Sequence, residues 1–112
     1  MSGRSSATIV LWRDIHRYAT AACMHFGLRQ PKRIEPLADM RARFFGDERR
    51  GVIRLRVHRL GRPRMPLSRR TIFDTLAHEL AHLRVQREGS EHHLLMRAIL
   101  DYWKVEFSGR RI

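Results

Sequence analysis

His78 and His82 lie four residues apart, and Glu79 sits beside the first of them in the run His78-Glu79-Leu80-Ala81-His82. On a helix this spacing stacks the two imidazoles on one face, where both can reach a single cation. A zinc ion held by two imidazoles and a third protein ligand keeps one position open and lowers the pKa of water there to about 7. A neighbouring carboxylate can then take a proton as that water attacks a carbonyl. Five residues thus supply a Lewis-acid site, a nucleophile and a base, and the implied reaction is hydrolysis. The expectation is one Zn2+ per chain, with His78 and His82 as ligands and Glu79 as the catalytic base.

Several residues compete for the third ligand position. Glu88 lies six positions after His82, just before Gly89 bends the chain. An acid at a helix C-terminus opposes the helix dipole, and that mild penalty hints at another role. His92 and His93 follow. Adjacent residues on a helix diverge by about 100°, so at most one of this pair faces the site. Glu88 is the first candidate and His92 the alternative. His92 could instead orient Glu88 or a substrate group from outside the metal's own ligand set.

These groups need a helix to hold them, and the flanking sequence provides its pattern. Ile72, Phe73, Leu76, Leu80 and Leu83 recur at three- and four-residue steps, and Ser68 is a good N-cap. The spacing predicts a helix over 68–87 with the motif near its middle. An earlier helix is expected over 8–28, with Ile9, Trp12, Ile15, Ala19, Ala22 and Phe26 on its apolar face and Gly27 at its end. A last helix begins near Ser90, read as its cap, and Leu94, Leu95, Ala98, Ile99, Tyr102 and Trp103 form its apolar face.

Between the first two helices the pattern changes. Residues 34–38 read as a short extended piece. Residues 40–45 and 52–58 read as the strands of a hairpin, with 46–51 as its turn. Ile53, Leu55 and Val57 alternate with Arg54 and Arg56, which suggests a core face and an arginine-lined solvent face. Residues 59–66 carry Gly61, Pro63 and Pro66 and read as loop. The order of helix, small antiparallel sheet, motif helix and C-terminal helix predicts an α+β fold in one domain spanning 1–112, with flexible ends at 1–7 and 108–112.

Charge gives a second signal. The 112 residues hold 23 Lys and Arg against 11 Asp and Glu, a net charge of +12, and only Lys32 and Lys104 are lysines. Such an excess attracts polyanions, and arginine favours bidentate phosphate contacts. Arg54 and Arg56 are the candidate nucleic-acid contacts. The arginines are spread along the chain rather than gathered in one block, so a solvated surface explains them equally well. A mean hydropathy of −0.46 and the lack of any long apolar run exclude a membrane-spanning chain. The N-terminus lacks a signal-peptide pattern, and the single Cys23 can form no internal disulfide, so a cytoplasmic setting is expected. Cys23 itself reads as a packed core thiol.

Taken with the downstream residues Glu88-Gly89-Ser90-Glu91-His92 and Leu95-Met96, the motif resembles the SprT-like and YgjP-like zinc metallopeptidases. The resemblance covers roughly residues 40–103. It implies a zincin-like fold, zinc on His78 and His82, Glu79 as general base, and peptide-bond hydrolysis. Relatives in that group act on proteins crosslinked to DNA, which implies a protein substrate and possible DNA association. The sequence departs from the group at Glu88, which stands where the third histidine is expected. The metzincin pattern fits less well, because Val85 occupies that group's glycine position. In a zincin an extended substrate pairs with a sheet edge beside the metal, and either 40–45 or 52–58 could offer that edge. Two other classes compete with the peptidase: a basic nucleic-acid-binding module whose metal is structural or absent, and a hydrolase acting on a non-peptide bond.

Overall fold

The computed structural model describes residues 6–37, 46–59 and 62–108. It contains helix α1 (Ser6–Phe26), strands β1 (Arg33–Pro36), β2 (Gly46–Arg49), β3 (Val52–Leu55), β4 (His58–Arg59) and β5 (Arg62–Pro66), and helices α2 (Arg69–His82) and α3 (Ser90–Glu106). The α+β order expected from sequence holds. No helix among the described residues is long and apolar enough to cross a membrane.

Helix α1 ends as its sequence predicts. Gly27 takes φ +67°, a conformation that glycine reaches at little cost, and the Leu28 amide donates back to the Cys23 carbonyl at 2.9 Å. Trp12, Ile15, Ala19 and Ala22 are buried along its inner face, but Ile9 is exposed. Cys23 is buried too, and burial pushes its thiol pKa up to about 11. The core forms where α1, α2 and α3 meet over the sheet. Trp103 of α3 donates its indole N–H to the Tyr18 carbonyl at 3.0 Å, and Tyr18 stacks on Phe107 with ring centroids 3.9 Å apart. Arg69, at the start of α2, holds Asp14 of α1 at 2.7 Å.

The sheet departs from expectation in three ways. Its strand order is β1-β3-β2, with β1 parallel and β2 antiparallel to β3, so the sheet is mixed rather than wholly antiparallel. The segment read as a turn supplies β2. The hairpin closes at Arg50 and Gly51, whose φ values of +54° and +82° match the strand twist that a two-residue connection requires. The Gly51 amide donates to the Glu48 carboxylate at 2.9 Å and fixes that turn. The proposed strand at 40–45 lies outside the described residues. Finally, 52–58 is not one strand: β3 stops at Leu55, and His58–Arg59 pairs with β5 in a separate two-stranded sheet, across the segment read as loop.

Register decides which groups face α2. Gly46 pairs with Leu55 and Glu48 with Ile53, whereas Asp47 pairs with Arg54. A Cβ on Gly46 would lie 2.8 Å from both the Arg54 carbonyl oxygen and Thr75 Cγ2. Only glycine lets β2 approach α2 this closely, and that approach brings the strand beside the motif.

Candidate metal centre

Helix α2 starts as predicted, with Ser68 as its N-cap accepting the Thr71 amide at 3.2 Å. Ile72, Phe73, Leu76, Ala77, Leu80 and Ala81 are buried. This fixes the helix rotation and leaves His78 and His82 half-exposed on the face towards β2 and α3. The helix is shorter than the sequence pattern suggests. It ends at His82 rather than near Arg87, so the second histidine closes the helix instead of sitting mid-way along it. The reason is local. The chain turns after Leu83, and His82 Nδ1–H donates to the Val85 carbonyl at 3.0 Å.

That bond fixes the tautomer of His82 and leaves Nε2 with its lone pair. The His82 Nε2 atom lies 3.2 Å from His78 Nε2, and Glu88 Oε1 lies 3.0 Å from His78 Nε2 and 3.8 Å from His82 Nε2. His92, near the start of α3, is buried, and its Nε2–H donates to the His78 carbonyl at 2.9 Å. Its lone pair therefore belongs to Nδ1. The His92 ring packs against those of His82 and His78, with centroids 4.1 and 4.4 Å away. His78, His82 and His92 bring one ligand atom each within 4.8 Å of one another and could hold a metal ion. The donor set fits one chemically: several electron pairs converge with few protons among them, a condition that a cation satisfies. Burial and the nearby His92 and His82 hold the His78 pKa below its ordinary value, which favours the neutral, ligating form.

Glu79 lines the same cleft as the two histidines. It is 5% exposed, and burial, reinforced by the charges of Asp47, Glu48 and Glu88, raises its carboxyl pKa to about 7. A carboxylate that titrates near neutrality is suited to taking and returning a proton. An open cleft between β2 and α2 gives solvent access to His78, Glu79, His82 and Glu88. The structure thus gathers every metal-site candidate from the sequence, including both candidates for the third ligand. Of the adjacent histidines, His92 turns inward and His93 is exposed.

Other expectations fail here. The start of α3 is capped by Gly89 rather than Ser90, with no side-chain bond. Leu94 is 67% exposed, while His92 takes a buried place in that helix. Arg54 and Arg56 do not form a free basic face. Arg54 binds the Asp47 carboxylate through Nε at 2.9 Å and also through Nη2, and Arg56 is 4% exposed. Nor can 52–55 offer a sheet edge, since β3 is paired on both sides. The edge beside α2 is β2. The sequence reading missed Asp47 and Glu48 as neighbours of Glu79. Two successive acids in an arginine-rich stretch were the available signal.

No protein-family model matches the chain, and no curated protein matches it. Two solved structures do, both of Wss1 from Saccharomyces cerevisiae, one of them a mutant. The mutant aligns at a TM-score of 0.77 and 16% identity over 99% of this chain and 91% of that one. The other aligns at 0.77 and 16% over 98% and 89%. At that identity the likeness speaks for architecture, and the chain has a SprT-like fold.

Proposed function

We propose that this protein is a zinc-dependent peptidase of SprT-like type, acting inside the cell on protein substrates, including proteins associated with DNA. The observation that carries the reading is that the buried Glu79 and the converging His78 and His82 nitrogens line one cleft bordered by an edge strand. His78 and His82 would hold the metal, with the remaining protein ligand drawn from Glu88 and His92. A bound zinc ion would supply Lewis-acid polarisation of the substrate carbonyl and make water acidic near neutral pH. Glu79 accepts the proton as water attacks the peptide carbonyl and passes it to the departing amine. Among the described residues β2 has no strand partner on its outer side, and its backbone can pair with an extended substrate. Asp47 lies on the opposite face of that strand from Glu48, so the two acids do not crowd the same substrate position.

The decisive test is Glu79→Gln. The variant is expected to bind zinc as the wild type does and to lose hydrolysis of an unstructured protein substrate. Full activity would remove Glu79 as the base.

A basic nucleic-acid-binding module is the second reading, favoured by the net charge of +12. Steeply salt-dependent DNA binding, with no proteolysis by the zinc-loaded protein, would select it.

A further inference from the structure

The metal site offers four protein donors where a hydrolytic centre needs three and an open position. The Glu88 oxygen approaches both His78 and His82 nitrogens, and the third histidine of the cluster reaches the same two from the protein interior. In a tetrahedral zinc site with bonds near 2.0–2.1 Å, neighbouring donor atoms are about 3.3–3.4 Å apart. The three separations among His78, His82 and Glu88 are 3.0, 3.2 and 3.8 Å, which bracket that figure. These atoms already trace one face of such a site.

We propose that Glu88 and His92 are both metal ligands, and that Glu88 closes the resting site as a fourth, exchangeable ligand. This rests on the zinc-peptidase reading and deepens it. The two donors are held very differently. His92 is 3% exposed, lies in the first turn of α3, and is fixed by its bond to the His78 carbonyl. Glu88 reaches in from solvent on a side chain that is 71% exposed. It sits on the connection between α2 and α3, where Gly89 has φ +154° and no atom within 4 Å of where a Cβ would be. A ligand on an exposed side chain, beside an unpacked glycine, can withdraw without disturbing the core. A ligand fixed in a buried helix turn cannot. Substrate access to the metal would then require Glu88 to leave, and a carboxylate bound to the outer face competes directly with an incoming carbonyl.

The test compares wild type, Glu88→Ala and His92→Phe by zinc affinity, measured by competition with a chromophoric chelator, and by the visible spectrum of the cobalt(II)-loaded proteins. Phenylalanine fills the His92 volume without a donor nitrogen, and near-ultraviolet circular dichroism checks that variant's packing. Glu88→Ala removes only an exposed side chain. Wild type is expected to bind one metal per chain, with an intense four-coordinate cobalt spectrum that azide changes only at concentrations well above those needed in Glu88→Ala. Glu88→Ala should still bind one metal, more weakly by roughly tenfold or more, since even outer partners of metal ligands are worth 10–100-fold. Its cobalt spectrum should shift when azide enters the opened position. His92→Phe should lose affinity by at least as much. Wild-type affinity and spectrum in Glu88→Ala would overturn the proposal, as would an unaltered cobalt spectrum in His92→Phe. Either result leaves the peptidase reading standing, whereas a wild-type protein that takes up no metal would remove both.

Discussion

Adding one methyl group at Gly46 should loosen the cleft measurably. In Gly46→Ala the new Cβ would lie 2.8 Å from the Arg54 carbonyl oxygen, 2.8 Å from Thr75 Cγ2 and 3.3 Å from Leu55 Cδ2. Ordinary contact begins near 3.4 Å, so β2 must back away from α2 by about half an ångström or Thr75 must yield. The carbonyl is backbone in the paired strand β3 and cannot step aside without disturbing the ladder. Overpacking of this kind costs about 1–3 kcal/mol. The lower chain entropy of alanine in the unfolded state returns about 0.4–1 kcal/mol, which leaves a net loss of about 1–2 kcal/mol. For a chain of this size that corresponds to a melting temperature lower by roughly 5–10 °C. Thermal and urea unfolding of the metal-free proteins would measure it. Adding Thr75→Ser gives a sharper version. Serine lacks Cγ2 but keeps a hydroxyl able to donate to the Thr71 carbonyl, as Thr75 does at 2.9 Å. The double variant should recover part of the loss, because the carbonyl clash remains, and a double-mutant cycle would read the coupling. A melting temperature unchanged or raised by Gly46→Ala would refute the close approach of β2 to α2, and with it the placement of Asp47 and Glu48 beside Glu79.

The ionisation of Glu79 predicts a pH signature in the metal-free protein. With the folded pKa raised from 4.5 to about 7, its contribution is fully present below pH 4.5 and is lost as pH rises to 7, because the unfolded chain ionises first. At 1.36 kcal/mol per pH unit the loss is about 3 kcal/mol, and Glu79→Gln should flatten urea-derived stability over this window; parallel curves would contradict the buried carboxylate. The lowered pKa of His78 acts with the opposite sign in wild type and variant alike, so the difference between them isolates Glu79. Ser68→Ala removes the cap that accepts the Thr71 amide and should cost about 1 kcal/mol in chemical denaturation, against no change if the cap is idle. Cys23, with its thiol pushed up to about 11, should resist iodoacetamide at pH 8 until urea unfolds the chain; alkylation at the rate of a free thiol would place it at the surface.

Features carried by neighbours in sequence were legible, and those carried by neighbours in space were not. The end of α1 at Gly27, the Ser68 cap and the pairing of His78 with His82 each depend on residues within one or two turns. Strand β2 is a different case. Gly46-Asp47-Glu48-Arg49 has no apolar alternation and reads as a turn, and it becomes a strand because β3 pairs with it and Thr75 packs against its glycine. Arg56 looked solvent-facing by alternation with Val57 and Leu55, yet the fold covers it. The predicted apolar face of α3 holds at Leu95, Ile99, Tyr102 and Trp103 but not at its edge, where packing against α2 buries His92 and exposes Leu94. The competition between Glu88 and His92 could not be settled from spacing, because both arrive at the site through a turn whose path is set by the bond from His82 to Val85.

Helix α2 serves the core with one face and the metal site with the other, and this sets how the chain can change over evolutionary time. Inserting or deleting one residue within Arg69–His82 turns everything beyond it by about 100°, which would swing His78 or His82 inward and a core residue such as Leu80 out to solvent. Homologous sequences should therefore align through this helix without gaps. The connection over residues 83–89 carries no such constraint. A change of length there alters which side chain arrives at the candidate site while the core beneath stays put. His78 and His82 are locked into the helix and His92 into the first turn of α3, whereas Glu88 belongs to a stretch of chain that lineages can rewrite.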